Sequence, residues 1–148
     1  MFGIIVFIGV KIMEYRQLVE LAFEIREFAY APYSGFKSGA VILCENGEVY
    51  TGCNVEIASF TPSVSACQAA ISSAITNGNK AFKAIAIVGG SDDEDFNYCA
   101  PSGVCRQMLE EFCKKDFNVI MAKSVNEFVV YNFDDLFPVP FGKKNIIS

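Results

Sequence analysis

The apolar residues of this 148-residue chain change their spacing along the sequence, and the order of these changes restricts the fold more than any single motif does. Apolar residues at helical spacing run from Leu18 to about Tyr30 and stop before Pro32. Asn46 and Gly47 then separate two apolar runs, a pattern that predicts a β-hairpin. The predicted elements after the first helix are strands over 38–44, 48–54 and 83–89, further strands near 117–122 and 127–131, and helices from 62 to about 76 and from 103 to about 115. This order predicts a three-layer α/β domain with a mixed sheet of about five strands.

Residues 1–12 form an apolar segment that stands apart from this pattern. The segment is too short to cross a bilayer, and it lacks the basic start and small-residue cleavage site of a secretory signal. Because Met13 directly precedes the first helical pattern, we expect translation to start there and residues 1–12 to be an upstream extension. The alternative is an additional N-terminal strand packed on the domain. The domain itself is expected to span residues 13–148 as one unit.

The charge balance and the residue types exclude several classes of function. A net charge of −5 argues against a protein that follows a nucleic-acid backbone. The chain contains no histidine, which excludes histidine-ligated metals, Ser-His-Asp triads and histidine general bases. Six cysteines in an apolar-rich chain indicate a reducing, cytoplasmic compartment, in which most thiols are small buried side chains. We therefore expect neither a nucleic acid nor a membrane as partner.

More specific motifs stand in four segments spaced along the chain: Tyr33–Ala40, Asn54–Phe60, Pro101–Gln107 and Leu136–Gly142. In this order the segments resemble the motifs Y-S-x-F-x-V-G-A, N-V-E-N-A-S-Y, P-C-G-x-C-R-Q and L-L-P…F-G of the small homotetrameric cytidine deaminases. The fold of that family, a five-stranded sheet between helices, agrees with the pattern described above. The resemblance implies a homo-oligomer, with a tetramer as its expected form.

The same resemblance implies a dismantled zinc centre. In zinc deaminases three protein ligands hold the metal, and a Glu that is not a ligand moves the proton as hydroxide attacks the ring carbon. Here Ser65 replaces one ligand, Ser102 replaces a second, and Cys67 stands at the position of the general acid/base Glu. Cys105 is the only surviving ligand position. Because a serine hydroxyl stays protonated near neutral pH and binds zinc weakly, we expect no cofactor and no intact catalytic residue.

The positions that would hold a nucleoside are retained. By resemblance, Phe36 packs against the pyrimidine, Asn54 and Glu56 bind the ribose hydroxyls, Ala66 matches a substrate-contacting position, and Phe141 reaches in from a neighbouring subunit. Apart from the resemblance, an amide and a carboxylate at a strand end suit the vicinal hydroxyls of a sugar. The structural alternatives are a core position for Phe36 and solvated turn positions for Asn54 and Glu56.

Three thiols near the lost zinc position leave two further interpretations open beside plain burial. Cys67, Cys99 and Cys105 could bind Zn²⁺ in a rebuilt site, although the loss of the Glu leaves such a site without a general base. Because helix N-termini lower the pKa of a thiol, Cys67 and Cys105 could instead be reactive thiolates or a redox pair.

The function expected from the sequence is that of a pseudoenzyme, an oligomer that binds a pyrimidine nucleoside or similar small ligand without deaminating it. The alternative is a divergent zinc-dependent deaminase that converts cytidine to uridine with the rebuilt site of Cys67, Cys99 and Cys105. A third interpretation is a subunit that has lost its own site but still assembles, and that modulates a catalytic paralogue.

Overall fold

The computed structural model of the protein describes residues 15–147, so the extension over residues 1–12 and the start at Met13 lie outside the described residues. None of the helices in the described range is long and apolar enough to cross a membrane. In chain order the elements are α1 (described over residues 15–26), β1 (Lys37–Cys44), β2 (Val49–Cys53), α2 (Ala66–Thr76), β3 (Phe82–Gly90), α3 (Gly103–Phe112), β4 (Cys113–Ser124), β5 (Glu127–Asn132), α4 (Phe133–Leu136) and a 3-10 turn (Lys143–Asn145).

The five strands form one mixed sheet in the order β2-β1-β3-β4-β5, which confirms the predicted fold class. Only β3 and β4 pair in parallel among these neighbours, and α3 lies between them in the chain as the connection that a parallel pair needs. β1 and β2 form the predicted hairpin, with Gly47 at a φ of 89° in the turn. The positive φ explains why the turn contains Asn-Gly, since glycine adopts this conformation without a steric penalty.

Side chains alternate between the two faces of the sheet and form a separate core on each. On β1, Ala40 and Ile42 point to the core shared with α2 and α3, whereas Val41 and Leu43 point to the core shared with α1. All four side chains are buried. A central strand buried on both faces reads as a continuous apolar run, which is the pattern of residues 40–44.

Helices approach the sheet most closely at two glycines. A Cβ atom at Gly39 would lie 2.1 Å from the carbonyl oxygen of Ala22 in α1, and a Cβ atom at Gly52 would lie 2.3 Å from the amide nitrogen of Ala70 in α2. Both neighbours are backbone atoms of a helix, which cannot turn aside as a side chain does. The two glycines therefore set the spacing of the three layers.

Two helix ends differ from the predicted ones because of pairing in the loops. The helix predicted to reach about Tyr30 ends earlier, since Tyr30 forms a parallel bridge with Val55. The second helix begins at Ala66 rather than Pro62, because Val55 also pairs with the segment just before α2. Bridges of this kind join residues far apart in sequence, so a local apolar pattern does not reveal them.

The third helix is also shorter than predicted. α3 ends at Phe112 rather than at about Lys115, because Cys113 already belongs to β4. β4 extends beyond the predicted 117–122 at both ends. The added residues are largely polar and partly exposed, so the apolar run marks only the buried middle of the strand.

The segments that carry the sequence motifs meet where β1 begins and where β2 and β3 end, and we call this end of the strands the sheet edge. The start of β1 pairs with the end of β2 at Gly39 and Cys53, and with the end of β3 at Lys37 and Gly90. The loops leading into α2 and α3 follow β2 and β3 directly in the chain. The N-termini of both helices therefore lie beside the same sheet edge.

We expect Gly39→Ala to lower the free energy of unfolding by roughly 1–3 kcal/mol, the usual cost of overpacking a core. The added methyl group would overlap backbone atoms of α1, including the amide nitrogen of Arg26 at 2.8 Å. Urea denaturation measures the change. Gly103→Ala is the matched control, because a Cβ atom there meets no neighbouring group within 4 Å and alanine is favoured over glycine in a helix by about 0.5–1 kcal/mol. Equal losses in the two variants would contradict the close approach of α1 to the sheet.

Candidate functional site

A cavity of about 330 Å³ opens at this sheet edge. Its lining comes from the start of β1, the end of β2, the middle of β3, and the first turns of α2 and α3 with the loops before them. The lining residues are Phe36, Ser38, Asn54, Ser65, Ala66, Cys67, Ile87, Cys99, Ala100, Pro101, Ser102 and Cys105. A small, largely apolar cavity with a few polar groups converging on it is the usual form of a small-molecule site.

Two serines hold the helices that bound the cavity. Ser65 is the N-cap of α2, where its hydroxyl accepts a hydrogen bond from the Gln68 amide and the Gln68 side chain accepts one from the Ser65 amide. Ser102 is the N-cap of α3, and its hydroxyl accepts from the Cys105 amide at 3.4 Å. Serine is among the best N-cap residues because its hydroxyl satisfies an amide of the first turn that has no partner in the helix.

Both capping hydroxyls also contact the sulfur of Cys105. The Ser65 Oγ lies 3.1 Å from Cys105 Sγ, and the Ser102 hydroxyl donates to the same sulfur at 3.2 Å. Cys67 lies within hydrogen-bonding reach of this sulfur from the first turn of α2. We call these four residues, Ser65, Cys67, Ser102 and Cys105, the Ser/Cys cluster.

Hydrogen bonds to Cys105 decide which thiol of the cavity carries charge. The hydrogen bond from Cys67, with those from Ser102 and Ser65, lowers the pKa of Cys105 to about 5. The pKa of Cys67 is raised well above its usual value, because its thiol donates to Cys105 and because it is buried. Burial, with the negative charge on Cys105, raises the pKa of Cys99 to about 11. Among these three thiols, that of Cys105 therefore loses its proton most easily.

Asn54 fixes the start of β1 against the end of β2. Its side-chain amide donates to the Phe36 carbonyl at 2.8 Å, and its oxygen accepts from the Ser38 amide at 2.7 Å. One N–H and one lone pair of the Asn54 side chain remain available for a ligand. The ring of Phe36, on the same loop, is partly exposed and lines the cavity. The structure thus brings together Phe36, Asn54 and Ala66, three of the five predicted nucleoside positions.

Glu56 lies outside the lining of this cavity. Its carboxylate accepts hydrogen bonds from the Ser34 hydroxyl, the Tyr33 amide at 3.0 Å and the Ser34 amide at 3.2 Å. These bonds, led by that of the Ser34 hydroxyl, lower the pKa of Glu56. The carboxylate orders the loop before β1.

Phe141 also lies outside the lining, near the C-terminus. Its ring is 58% exposed, and its carbonyl oxygen accepts a hydrogen bond from the Gln107 side chain at 2.8 Å. Within one protomer this ring does not reach the cavity.

Two residues that the sequence analysis did not assign help to shape the cavity. A Cβ atom at Gly89 would lie 2.8 Å from Cys99 Sγ and 3.0 Å from the Phe36 ring, so only glycine leaves room for both. Arg106 donates from Nε to the Pro101 carbonyl at 2.9 Å and fixes the loop before α3. Arg106 lies in a recognised motif, whereas nothing in the sequence around Gly89 indicates its role.

The loop between β3 and α3 is anchored at its start as well. Arg26, only 2% exposed, donates to the Gly90 carbonyl at 2.7 Å and to Asp92 at 2.8 Å. Lys37 contacts the second carboxylate oxygen of Asp92 at 2.6 Å. These two cations, whose hydrogen bonds lower the pKa of Asp92, hold the loop against the rest of the sheet edge.

The donor atoms at the cavity do not suit a zinc ion. Ser65 and Ser102 offer protonated hydroxyls, which bind zinc weakly. Cys105 is the one thiol at a ligand position implied by the resemblance. Over residues 15–147 no group of three or more cysteine or carboxylate side chains is arranged to hold a metal.

Comparison with known proteins gives consistent results over most of the chain. A family profile described as the cytidine and deoxycytidylate deaminase zinc-binding region matches residues 8–89. The cytidine deaminase of Sporosarcina psychrophila is 31% identical over 134 residues, which cover 90% of this chain and 96% of that protein. A probable cytidine deaminase of Dictyostelium discoideum is 30% identical over 135 residues, which cover 91% of this chain and 88% of that protein.

Comparison with solved structures also finds cytidine deaminases. The 1.6 Å crystal structure of cytidine deaminase from Burkholderia pseudomallei is similar at a TM-score of 0.76 and 38% identity, covering 84% of this chain and 97% of that chain. The cytidine deaminase of Mycobacterium tuberculosis is similar at a TM-score of 0.73 and 31% identity, covering 86% of this chain and 97% of that chain. With the predicted resemblance confirmed in both sequence and fold, the chain belongs to the cytidine deaminase family.

Proposed function

We propose that this protein binds a pyrimidine nucleoside, or a similar small ligand, in the cavity at the sheet edge and does not hydrolytically deaminate it. The observation that carries the proposal is the Ser/Cys cluster. Where the resemblance places metal ligands, Ser65 and Ser102 cap helices and hydrogen-bond to the sulfur of Cys105. A hydroxyl engaged in this way is a poor zinc ligand, and without a metal no water is activated for attack on the ring.

Ligand binding is supported by the groups that the cavity retains. The partly exposed ring of Phe36 offers a face or an edge to a pyrimidine. Asn54 has one donor and one acceptor left for a sugar hydroxyl. Glu56 remains a proposed contact of a sugar hydroxyl, because a carboxylate has about four acceptor sites and the loop at Tyr33 and Ser34 occupies three of them.

A homo-oligomer is part of the proposal. The resemblance assigns Phe141 to the site of a neighbouring subunit, and its ring is exposed and away from the cavity of its own protomer. An aromatic ring exposed in this way suits a contact with a second copy.

A zinc site rebuilt from Cys67, Cys99 and Cys105 is the competing function. The three thiols line the same cavity, which favours it. Binding would require Cys67 and Cys99 to lose protons that they hold firmly, since both have raised pKa values. No Glu of the described residues lines the cavity to move protons during a hydrolysis. We therefore favour ligand binding without hydrolysis.

We expect cytidine and uridine to raise the midpoint of thermal unfolding, with no change in the ultraviolet spectrum of cytidine and no release of ammonia. Phe36→Ala should weaken binding roughly tenfold or more, since loss of an aromatic ring that stacks on a base costs about 1–3 kcal/mol. Phe28→Ala is the control, because Phe28 is 77% exposed and does not line the cavity. Turnover of cytidine, or equal losses in the two variants, would contradict the proposal.

We expect near-zero zinc in protein purified without chelator or metal affinity, measured by elemental mass spectrometry. The double variant Ser65→Cys with Ser102→Cys supplies three thiols with Cys105 and should take up about one zinc per chain. It should remain inactive, since Cys67 still occupies the position of the general acid/base. About one zinc in the natural chain, lost in Cys67→Ala or Cys99→Ala, would instead support the rebuilt site.

A thiol that no metal occupies is open to alkylation, and the lowered pKa of Cys105 fixes the pH dependence. Because the thiolate is the reactive form, the rate of Cys105 alkylation by iodoacetamide should rise with pH and reach half its maximum at about pH 5, far below the 9.0 of an ordinary thiol. Peptide mass spectrometry of alkylated samples follows the site. A midpoint near 9 would show that Cys67 and the two hydroxyls do not stabilise the thiolate. Alkylation that becomes fast only after a chelator is added would point to a bound metal.

A further inference from the structure

Three cysteines from separate segments of the chain meet at the cavity. Cys67 lies in the first turn of α2, Cys105 in the first turn of α3, and Cys99 in the loop before α3. Each thiol of the cavity is free in the structure. Neither nucleoside binding nor helix capping requires three thiols at one place, so their arrangement has no role in the proposed function.

Cys67 and Cys105 are the two of these thiols that lie closest to full burial. They belong to the same buried core cluster, line the same cavity and interact through their side chains, and each is 3% exposed. Cys99 lies near enough for the charge on Cys105 to affect it but makes no hydrogen bond to that sulfur. The contact therefore singles out Cys67 as the partner of Cys105.

The surroundings favour chemistry at Cys105. Its sulfur has the hydroxyls of Ser65 and Ser102 at 3.1 Å and 3.2 Å, and it lies within the first turn of a helix. Hydroxyl donors and the positive end of a helix stabilise negative charge on sulfur. Because the cavity is open and both cysteines line it, a molecule little larger than water can approach them.

We propose that Cys105 reacts with a small peroxide that enters the cavity and that Cys67 then resolves the product as a Cys67–Cys105 disulfide. This reaction goes beyond nucleoside binding and does not depend on it. It links the first turns of α2 and α3 by a covalent bond.

The Cys105 thiolate attacks one oxygen of hydrogen peroxide, the O–O bond breaks, and with one proton taken up the products are a sulfenic acid on Cys105 and water. The Cys67 thiol then attacks the Cys105 sulfur, the S–O bond breaks, and a second water leaves with the Cys67 proton. Two thiols lose two electrons and two protons, and the peroxide is the oxidant. The two sulfurs must close from hydrogen-bonding contact to about 2.05 Å.

The test treats fully reduced protein with hydrogen peroxide and follows intact mass and disulfide-linked peptides under non-reducing conditions. The natural chain should lose the mass of two hydrogen atoms and yield a linked peptide pair containing Cys67 and Cys105. Cys99→Ala is the matched control, because it removes the third thiol of the same cavity and should leave the linkage intact. Cys67→Ala should accumulate a sulfenic acid on Cys105 that dimedone traps, with no linked pair.

Cys105→Ser tests the attacking thiol while keeping a hydrogen-bonding group in the cluster, and circular dichroism checks that each variant is folded. In Cys105→Ser, peroxide should leave Cys67 as a free thiol. A linkage between Cys99 and Cys105, or oxidation of Cys67 at the natural rate in Cys105→Ser, would overturn the assignment. So would a natural chain whose mass is unchanged by peroxide while its Cys105 remains open to alkylation. Because mass and linkage are read without nucleoside, failure here is distinct from failure to bind cytidine.

Discussion

The hydrogen bonds that join Ser65 and Ser102 to the sulfur of Cys105 determine the arrangement of the whole site. Each serine hydroxyl accepts from an amide of its own helix and also contacts the shared sulfur, and that of Ser65 lies 3.1 Å from the Gln68 side-chain oxygen as well. In this way the N-termini of α2 and α3 are tied to one atom. A zinc ion held by three thiolates would tie the same segments together through metal bonds, and under the proposed function the serines make this connection without a metal.

The frame around this cluster is built by close packing of helices and apolar side chains on the sheet. Gly39 and Gly52 let α1 and α2 approach the sheet at backbone distance, and buried apolar side chains fill both faces of β1. The family fold is therefore carried by packing on both faces of the sheet, outside the Ser/Cys cluster.

Sequence patterns predicted the fold class, the hairpin and the order of elements, because apolar periodicity reports burial directly. They misplaced the end of α1 and the start of α2, because Val55 pairs with a segment beside each of these helices. They also placed the end of α3 too late, because β4 begins directly after it. At the site, motif matching placed Phe36 and Asn54 beside one cavity, but it could not show that Glu56 is engaged by its own loop. The contact of Cys67 with Cys105 joins two helices, and no local pattern encodes such a contact.

The loop between β3 and α3 supplies a run of cavity residues from Cys99 to Ser102, and it is anchored at both ends. Asp92 is held between Arg26 and Lys37 at its start, and the Pro101 carbonyl is held by Arg106 at its end. A loop fixed in this way has already lost its conformational freedom on folding. A ligand that enters the cavity therefore loses little free energy to ordering the chain, which leaves the loss of its own translational and rotational freedom as the main entropic cost of binding.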